Sequence, residues 1–396
     1  MWETVKLGNV LTIARGGSPR PIKSFITEDP DGINWIKIGD TTEGGRYIES
    51  TKQKIKPSGI NRSRYVEHGD FLLSNSMSFG RPYILKTDGC IHDGWLVLSN
   101  YEANFQPDYL YYLLSSSIVQ GQFETLARGS TVRNLNTELV SSVTVTIPPL
   151  SEQKRIVERL DKAFAEIDKA INAAEAKEVE CEKLHQKLID EAIICQKSAV
   201  INAKLGDLAK FLDYRGKTPR KAEAGMPLLT AKNVRMGTIN KDPEEFVSEE
   251  TYRQHMTRGF ADVGDVVITT EAPLGLIAQI ENKEIALGQR LITLQIKNNS
   301  LEKSFLMYFL MSTEAQQRLE ADGTGATVKG IKTSRLRNFD VKFPNDLQEQ
   351  KQVVERLKAL ESHLRYVRQY CELKSNNLDS LKSAVLRKEL SPSEPA

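Results

Sequence analysis

Cysteine is scarce in this chain, whose 396 residues include only Cys90, Cys181, Cys195 and Cys371. No two of them form a Cys-x-x-Cys pair, and no histidine lies near one at zinc-ligand spacing. The pattern therefore argues against a local zinc site and against a disulfide framework. Buried or idle thiols in a reducing compartment are the expectation.

Long hydrophobic runs are also missing. No apolar stretch approaches the roughly 18 residues that indicate a membrane span, and the N-terminus lacks the basic-then-apolar pattern of a secretory signal. Hydrophobic residues make up 40% and charged residues 27%, which is the balance of a folded soluble protein. We expect a cytoplasmic protein without membrane contact.

Catalytic motifs are absent as well. Gly216-Lys217-Thr218 resembles the end of a phosphate-binding loop, but Phe211 stands where that loop needs a glycine. No Gly-x-Gly-x-x-Gly opens a helix, and no amino-methyltransferase motif or clear nuclease carboxylate cluster is present. The five histidines are too far apart in sequence to indicate a metal site or a Ser/His pair. The sequence predicts a binding protein with no catalytic residues, no metal and no bound cofactor.

What the chain does contain is an internal repeat at about half its length. Five segments of the first half recur in the same order in the second, and the paired segments begin at Lys6 and Lys204, Arg15 and Arg215, His68 and Val263, Gly129 and Gly325, and Glu152 and Glu349.

Each copy begins with a globular part of roughly 145 residues, in which short β-rich runs alternate with Gly, Asn, Asp and Pro turns. In the first copy these runs lie at 35–38, 71–73, 95–98 and 143–147. An amphipathic helix is predicted near the end of each globular part, at 109–126 and 305–319.

Each copy ends in a long charged helix that follows a proline, and Ser151 and Asp346 are the predicted N-caps. Apolar residues recur along both helices at alternating spacings of four and three, which is the heptad stripe of a helix pair. The predicted seam residues are Ile156, Leu160, Ile167, Leu184 and Leu188 in the first helix and Val353, Leu357, Leu364, Leu378 and Leu381 in the second.

The expected fold is α+β, with two tandem-repeated β-rich globular domains separated by two long helices that pair as an antiparallel coiled coil. The alternative, that each helix packs only on its own domain, is disfavoured because the stripe is too long for a domain of this size to cover. Lys177 and Lys374 interrupt the two stripes at the same register. They either set the register or lie partly exposed with their stems along the seam.

Basic and hydrogen-bonding residues recur on Gly-rich loops in both globular parts. Arg and Lys neutralise phosphates, Ser and Thr fix register, and Arg, Asn and Gln read base edges. The alternative for any single residue is a solvated surface charge or a turn former. The predicted DNA-binding residues are Arg15, Ser18, Arg20, Asn75, Ser76, Ser78, Arg81, Arg128, Ser130, Thr131 and Arg133 in the first copy, and Arg215, Lys217, Arg220, Lys232, Asn233, Thr270, Arg290, Thr327, Lys329, Lys332 and Thr333 in the second.

The segment Pro148-Pro149-Leu150-Ser151-Glu152-Gln153 opens the first long helix, and Ile156 follows it. Together with the tandem layout, this Pro-Pro-Leu-x-Glu-Gln-x-x-Ile pattern resembles the specificity subunits of type I restriction–modification enzymes over essentially the whole chain. The second copy keeps only the leucine and the Glu-Gln of the motif, as Leu347, Glu349 and Gln350.

The resemblance implies two target recognition domains, at 1–150 and 203–346, each reading one half of a split, asymmetric DNA site. It implies conserved spacer helices at 151–199 and 347–390, followed by a tail at 391–396. The helices would set the gap between half-sites and dock two methyltransferase subunits, which bind S-adenosylmethionine and methylate adenine N6. Motor–nuclease restriction subunits, which use ATP and Mg²⁺, would join that core.

Two other interpretations stay open from the residues alone. The chain could serve a related system whose methyltransferase and nuclease are fused in one partner. A coiled-coil adaptor without nucleic acid is the alternative from a different functional class, and salt-dependent DNA binding would distinguish it.

Overall fold

The computed structural model describes residues 2–42, 44–75, 79–127, 134–195, 197–297, 299–325 and 329–391. The chain divides into two compact units: unit 1 comprises Met1–Ala174 and Leu373–Ala396, and unit 2 comprises Glu175–Glu372. Each unit holds one globular copy of the repeat together with a segment of each long helix. Within the described ranges, no helix is long and apolar enough to cross a membrane.

The sheets of unit 1 are built from short strands. Those at 71–74, 82–85 and 95–99 consist mainly of apolar and aromatic residues, as expected for strands that are buried on both faces. The strands are β1 (Glu3–Lys6), β2 (Thr12–Arg15), β3 (Ile26–Thr27), β4 (Ile33–Ile36), β5 (Tyr47–Ile48), β6 (Lys54–Ile55), β7 (Arg64–Val66), β8 (Phe71–Ser74), β9 (Pro82–Leu85), β10 (Gly89–Ile91), β11 (Trp95–Ser99) and β12 (Thr144–Ile147). They form sheets in the orders β2-β11-β8-β9-β5, β3-β6-β4-β10-β7 and β1-β12.

The helices of unit 1 come after β11 in the chain and share a core with the first sheet. They are α1 (Pro107–Ser115), α2 (Ser117–Ala127), α3 (Thr137–Ser142) and the part of α4 (Leu150–Ile194) that ends at Ala174. Short 3-10 helices occur at Leu7–Asn9, Ile22–Ser24, Ile38–Asp40 and Pro57–Arg62.

Unit 2 repeats this strand order. Its strands are β13 (Val200–Lys204), β14 (Ala209–Asp213), β15 (Lys221–Ala222), β16 (Met226–Leu229), β17 (Val234–Arg235), β18 (Thr238–Ile239), β19 (Phe246–Val247), β20 (Val266–Thr270), β21 (Leu274–Gln279), β22 (Ala286–Leu287), β23 (Leu291–Ile296) and β24 (Asp340–Pro344). They form the orders β14-β23-β20-β21, β15-β19-β16-β22, β13-β24 and β17-β18. The first three repeat the sheet orders of unit 1 without counterparts of the edge strands β5 and β7. The duplicated sequence therefore yields a largely duplicated topology.

The helices of unit 2 are α5 (Leu205–Leu208), α6 (Glu249–His255), α7 (Lys303–Met311), α8 (Thr313–Asp322), α9 (Thr333–Arg337) and α10 (Leu347–Glu389), of which unit 2 contains the part that ends at Glu372. Among them, α7, α8 and α9 lie at the places of α1, α2 and α3 in unit 1.

The prediction of a single amphipathic helix in each globular part is wrong, because two helices occur there. Ser116 separates α1 from α2, and Ser312 separates α7 from α8. Both serines have extended backbone and are buried, and the hydroxyl of each accepts a hydrogen bond from the first turn of the next helix. A side chain that caps a new helix ends the preceding one without Gly or Pro, the usual signals of a helix end.

The predicted N-cap is correct for one long helix and wrong for the other. Asp346 precedes α10 and accepts the backbone N–H of Gln348 at 2.8 Å, as predicted for an N-cap. The prediction for Ser151 is wrong, since α4 begins at Leu150 and the carbonyl of Pro149 accepts the first N–H groups. At its other end α4 stops at Ile194, because residues 200–204 form strand β13 with β24.

In unit 1 the two long helices pack against each other in antiparallel directions. Arg159 lies 2.7 Å from Glu389, and Asp168, further along α4, pairs with Lys382, which is earlier in α10. Between them Ile156 and Leu160 share a core with Leu386 and Leu390. Burying each such side chain stabilises the fold by about 1.5–3 kcal/mol.

Unit 2 shows the same antiparallel arrangement. Glu182 lies 3.7 Å from Arg368, while His185 lies 3.6 Å from Glu361. Ile189 and Ile193 of α4 enter one core with Val353 and Leu357 of α10. The predicted antiparallel helix pair is therefore present in both units.

The predicted seam is buried in part. Ile156, Leu160, Ile167, Val353, Leu357 and Leu364 are buried, and Leu188 and Leu378 are half-buried. Leu184 and Leu381 do not belong to the seam, because 48% and 47% of their surfaces are exposed.

Polar residues one position further along occupy the seam instead. His185 and Lys382 have side chains only 17% and 30% exposed, and each pairs with an acid on the facing helix. The stripe therefore shifts by one residue after Lys177 and Lys374, which are both exposed. This exposure favours the second interpretation of those lysines. Apolar spacing in the sequence does not reveal such a shift, because Leu184 and Leu381 stand directly beside the polar seam residues His185 and Lys382.

Candidate nucleic-acid interface

In unit 1 the turn between β10 and β11 gathers four of the predicted residues around Asp93. The Ser18 hydroxyl donates to the Asp93 carboxylate at 2.7 Å, and the Arg20 guanidinium lies 3.6 Å from it. Arg15 and Asn75 donate to the Asp93 backbone carbonyl at 3.3 and 2.8 Å. Loops that are far apart in sequence thus meet at one aspartate that sequence reasoning missed.

Asp93 is an anion at neutral pH. The hydrogen bond from Ser18, with smaller contributions from His92 and Arg20, holds the pKa of its carboxyl below the usual 3.8. Burial lowers the pKa of the neighbouring His92 below its usual 6.5, which favours a neutral ring. A carboxylate surrounded by exposed arginines can orient those cations and can accept an amino proton of cytosine.

The turn that precedes β23 in unit 2 occupies the equivalent place, and it differs in chemistry. Here Gln289 stands where unit 1 has Asp93, and its amide hydrogen-bonds to the hydroxyl of Thr218. Thr218 in turn matches Ser18 in the repeat. The contact between the two loops is thus kept, but a neutral amide replaces the carboxylate.

Arg215 organises a second cluster in unit 2. Its guanidinium donates to both carboxylate oxygens of Asp213, at 2.9 and 2.7 Å, and to the hydroxyl of Thr333. It also reaches the carbonyl of Ile331 at 3.3 Å. Although burial alone would raise it, the hydrogen bonds from Arg215 hold the pKa of Asp213 below its usual 3.8.

This cluster lines a polar cavity of about 650 Å³. Predicted residues from three distant segments meet there, namely Arg215, Thr270, Lys332 and Thr333. Arg258 also lines it, and its guanidinium donates to the carbonyl of Asp213. Sequence reasoning missed Arg258, because it follows α6 in a segment without a recognisable counterpart in the first copy.

Lys232 and Arg290 line an adjacent cavity of about 290 Å³. Arg290 has φ of 65°, which non-glycine residues rarely adopt, and its Nε lies 3.3 Å from the carboxylate of Glu271. Strained backbone of this kind persists where the surroundings hold it, and it is often found at ligand-contacting positions. Arg290 can donate to a guanine edge, and Glu271 can accept from cytosine.

Three of the predicted DNA-binding residues are buried. Asn75 and Asn233 are 2% and 4% exposed, and Thr270 is 1% exposed. The Asn233 amide is fully engaged, since its nitrogen donates to the carbonyls of Asn240 and Pro243 and its oxygen accepts from Thr230. Short polar side chains that stabilise a loop from inside have the same composition as those that face a ligand, so sequence did not separate them.

The other predicted residues fall into two groups. The exposed ones are Arg20, Lys217, Arg220, Lys329 and Lys332. Lys329 pairs with Glu320 at 2.7 Å, and the Arg81 guanidinium lies 5.5 Å from the centre of the Tyr83 ring. Their contact with DNA stays a prediction. The predicted residues that lie outside the described ranges are Ser76, Ser78, Arg128, Ser130, Thr131, Arg133 and Thr327.

Among the described residues, no group of three or more His, Cys, Asp or Glu side chains is placed to hold a metal ion. The clusters above consist of cations, amides, hydroxyls and single carboxylates held by neighbouring arginines. Such a set can bind phosphates and donate to or accept from base edges.

Comparisons with known proteins agree with this chemistry. The model of the family described as "Type I restriction modification DNA specificity domain" matches residues 1–177 and 200–370. The MjaVIII specificity subunit of Methanocaldococcus jannaschii is 24% identical over 387 residues, covering 91% of this chain and 86% of that protein. The EcoKI specificity subunit of Escherichia coli K12 is 19% identical over 423 residues, covering 98% and 88%.

A solved chain, from work on complex assembly and conformational transition of the type I R-M system, has the same fold. Its TM-score is 0.74 at 19% identity, over 98% of this chain and 97% of that one.

Proposed function

We propose that this chain, which belongs to the type I restriction modification DNA specificity family, reads a split DNA site with one half-site in each unit. It is the DNA specificity subunit of a type I restriction–modification system. The observation that carries it is the pair of matched turns, at Asp93 and Gln289, on one duplicated sheet. A shared scaffold with different loop chemistry suits two different sequences.

The recognition domains proposed from the sequence, 1–150 and 203–346, each contain one of these loop clusters. Exposed Arg15 and Arg20 would contact phosphates of one half-site, and Lys332 and Arg290 would serve the other. Phosphate contacts position a protein on the duplex, and base contacts supply the sequence preference. We therefore assign the asymmetric chemistry around Asp93 and around Gln289 to base reading.

The direct test is to co-express the chain with its methyltransferase partner and to map methylated adenines across a genome. The expected result is one motif in two specified parts with a constant unspecified gap. A single uninterrupted motif, or methylation without sequence preference, would contradict the proposal.

The two long helices act as the spacer between the half-sites in this proposal. A helix of about 45 residues spans about 68 Å, and DNA rises about 3.4 Å per base pair. Inserting four residues at matched places in α4 and α10 should lengthen the gap and leave both half-sites unchanged. An unchanged gap on the same methylation map would count against the spacer role.

The helices also offer a docking surface for the methyltransferase subunits. Tyr366 and Tyr370 lie one turn apart on α10, and 71% and 55% of their surfaces are exposed. Exposed tyrosines are enriched at protein interfaces, where ring burial adds affinity. Changing both to alanine should weaken the complex with the methyltransferase at least about tenfold. Lys358→Ala, an exposed position on the same helix, is the matched control and should leave assembly unchanged.

The chemistry of the whole system lies with the partners in this proposal. Two methyltransferase subunits would bind S-adenosylmethionine, and restriction subunits would use ATP and Mg²⁺. This chain would supply sequence recognition and orientation in the cytoplasm. A rigid reader contributes because the partner must take the target adenine out of the stacked duplex at a fixed place.

A further inference from the structure

The glutamine of the Glu-Gln pair that opens each long helix lies at the joint between that helix and its globular domain. Gln153 and Gln350 are both fully buried, at 0% exposure. A buried amide requires hydrogen bonds for its two N–H donors and its oxygen, because each unsatisfied group is costly. Both glutamines meet that requirement with backbone groups of the globular domain.

In unit 1 the Gln153 amide nitrogen donates to the carbonyls of Asn104 and Pro148, at 2.8 and 2.9 Å. Its oxygen accepts the backbone N–H of Gln106 at 2.8 Å. Gln106 is the N-cap of α1, and Pro148 directly follows strand β12. One side chain therefore connects the first turn of α4 to a loop, a helix start and a strand end.

Unit 2 repeats the arrangement with different surrounding residues. The Gln350 amide nitrogen donates to the carbonyls of Ser300 and Pro344, both at 2.8 Å. Its oxygen accepts the N–H of Glu302, the N-cap of α7, at 2.8 Å. The same set of three hydrogen bonds thus occurs twice. Proline supplies one carbonyl in both units, and the other two backbone groups come from different residue types.

We propose that Gln153 and Gln350 are positioning residues that fix the angle of each recognition domain on its spacer helix and so keep the gap between half-sites constant. The inference rests on the proposed split-site function. A rotation of roughly 10° at a joint moves a point about 20 Å away by about 3.4 Å, which is one base-pair step. Domains of this size reach that far, so a small rotation at the joint shifts the register on DNA.

Three hydrogen bonds from three elements resist rotation in a way that apolar packing does not. Apolar contacts are non-directional, and a side chain that slides along them loses little. A hydrogen bond weakens steeply once its angle falls below about 120°. The amide therefore adds orientation to a joint that Ile156 and Leu160, or Val353 and Leu357, already hold together.

The test uses Gln153→Met and Gln350→Met in the full chain, co-expressed with the methyltransferase. Methionine keeps the length of glutamine and removes the three hydrogen bonds. Substrates carry both half-sites with the normal gap, or with one base pair more or one fewer, and methylation of each is measured. We expect the off-gap to normal-gap ratio to rise at least about tenfold for each variant, equivalent to about 1.4 kcal/mol of lost discrimination.

Val97→Ala and Val267→Ala are the matched controls. Both valines are buried in clusters that do not include the long helices. These controls should lower methylation at every gap in parallel, so the ratio stays at its wild-type value. If either methionine variant does not accumulate in folded form, Gln→Asn, which withdraws the amide by one methylene, takes its place and the same ratio decides.

The inference is overturned if the glutamine variants and the valine controls have the same ratio of off-gap to normal-gap methylation. The amides would then only stabilise the fold. A wild-type complex that methylates no split substrate overturns the proposed function itself, and the inference with it. The two failures are distinguished by the wild-type result alone.

Discussion

Units 1 and 2 share a sheet order but differ at the turn before the second strand of the sheet, β11 or β23. Unit 1 builds this turn on the carboxylate of Asp93, and unit 2 builds it on the amide of Gln289. A carboxylate only accepts hydrogen bonds, whereas an amide both donates and accepts. The scaffold has thus been kept after duplication while the loop chemistry has changed, as two different recognition tasks require.

The largest expected effects test the shared scaffold. Leu160→Ala in unit 1 and Leu357→Ala in unit 2 remove matched seam residues that are 0% and 3% exposed. Each should lower the free energy of unfolding by about 2–5 kcal/mol, because a buried leucine leaves a cavity. Denaturant unfolding of the purified chain measures it.

Leu184→Ala and Leu381→Ala are the matched controls, since both side chains are about half exposed. They should change stability by no more than about 0.5 kcal/mol. Equal losses at the buried and the exposed leucines would show that the seam does not run where we place it.

The next largest effect is on DNA binding, and it differs between the Arg215 cluster of unit 2 and the Asp93 cluster of unit 1. Arg215→Ala removes a guanidinium that bonds Asp213, Thr333 and Ile331, and should weaken DNA binding by the assembled complex by about 1.5–3 kcal/mol. Arg15→Ala removes an exposed side chain whose Nε donates to the Asp93 backbone carbonyl at 3.3 Å. We expect this change to weaken DNA binding by about tenfold or less. Titrations at one fixed salt concentration compare the two.

Arg253→Ala is the control for general charge loss, because this exposed arginine pairs with Glu249 on its own short helix and with no other acid in the described ranges. It should leave affinity within about twofold. Equal losses for Arg15 and Arg215 would remove the distinction between the clusters.

Exchanging the chemistry of the matched turns should change one half-site at a time. Asp93→Asn adds a donor in unit 1, and Gln289→Glu removes one in unit 2. A correct pairing with a base edge discriminates by about 1–3 kcal/mol. Each variant should therefore alter base preference in one half-site, read from the methylated motif, and a change in both halves would contradict independent reading.

The smallest effect concerns pH. Because the Ser18 hydroxyl lowers the pKa of Asp93, the stability from this contact is present above pH 3.8 and is lost as pH falls through the lowered value. Ser18→Ala should raise the pKa of Asp93 towards 3.8, which an NMR titration of labelled aspartate detects. The stability difference from wild type should accordingly vanish in acid. Thr218→Ala is the control, because Gln289 does not titrate, and its effect should not depend on pH.

Features set by local periodicity were predictable from the sequence. The repeat, the two long helices and the buried parts of the seam follow from spacing along one segment. Asp93, Gln289 and Arg258 were not predictable as site residues, because strand pairing brings them to Ser18, Thr218 and Asp213 from distant segments.

Two further failures have physical reasons. A search for apolar spacing passes over His185 and Lys382, whose acidic partners lie on the other helix. The buried Asn75 and Asn233 could not be told from ligand-facing residues, since both kinds stand in polar loops.

Exchange of residues 1–150 for the corresponding domain of another family member tests the central claim most directly. The chimera is co-expressed with the methyltransferase, and methylated adenines are mapped across the genome. We predict that one half-site changes, while the other half-site and the gap stay as in the wild type. A change in both half-sites, or in the gap, would contradict two units that read independently on a common spacer.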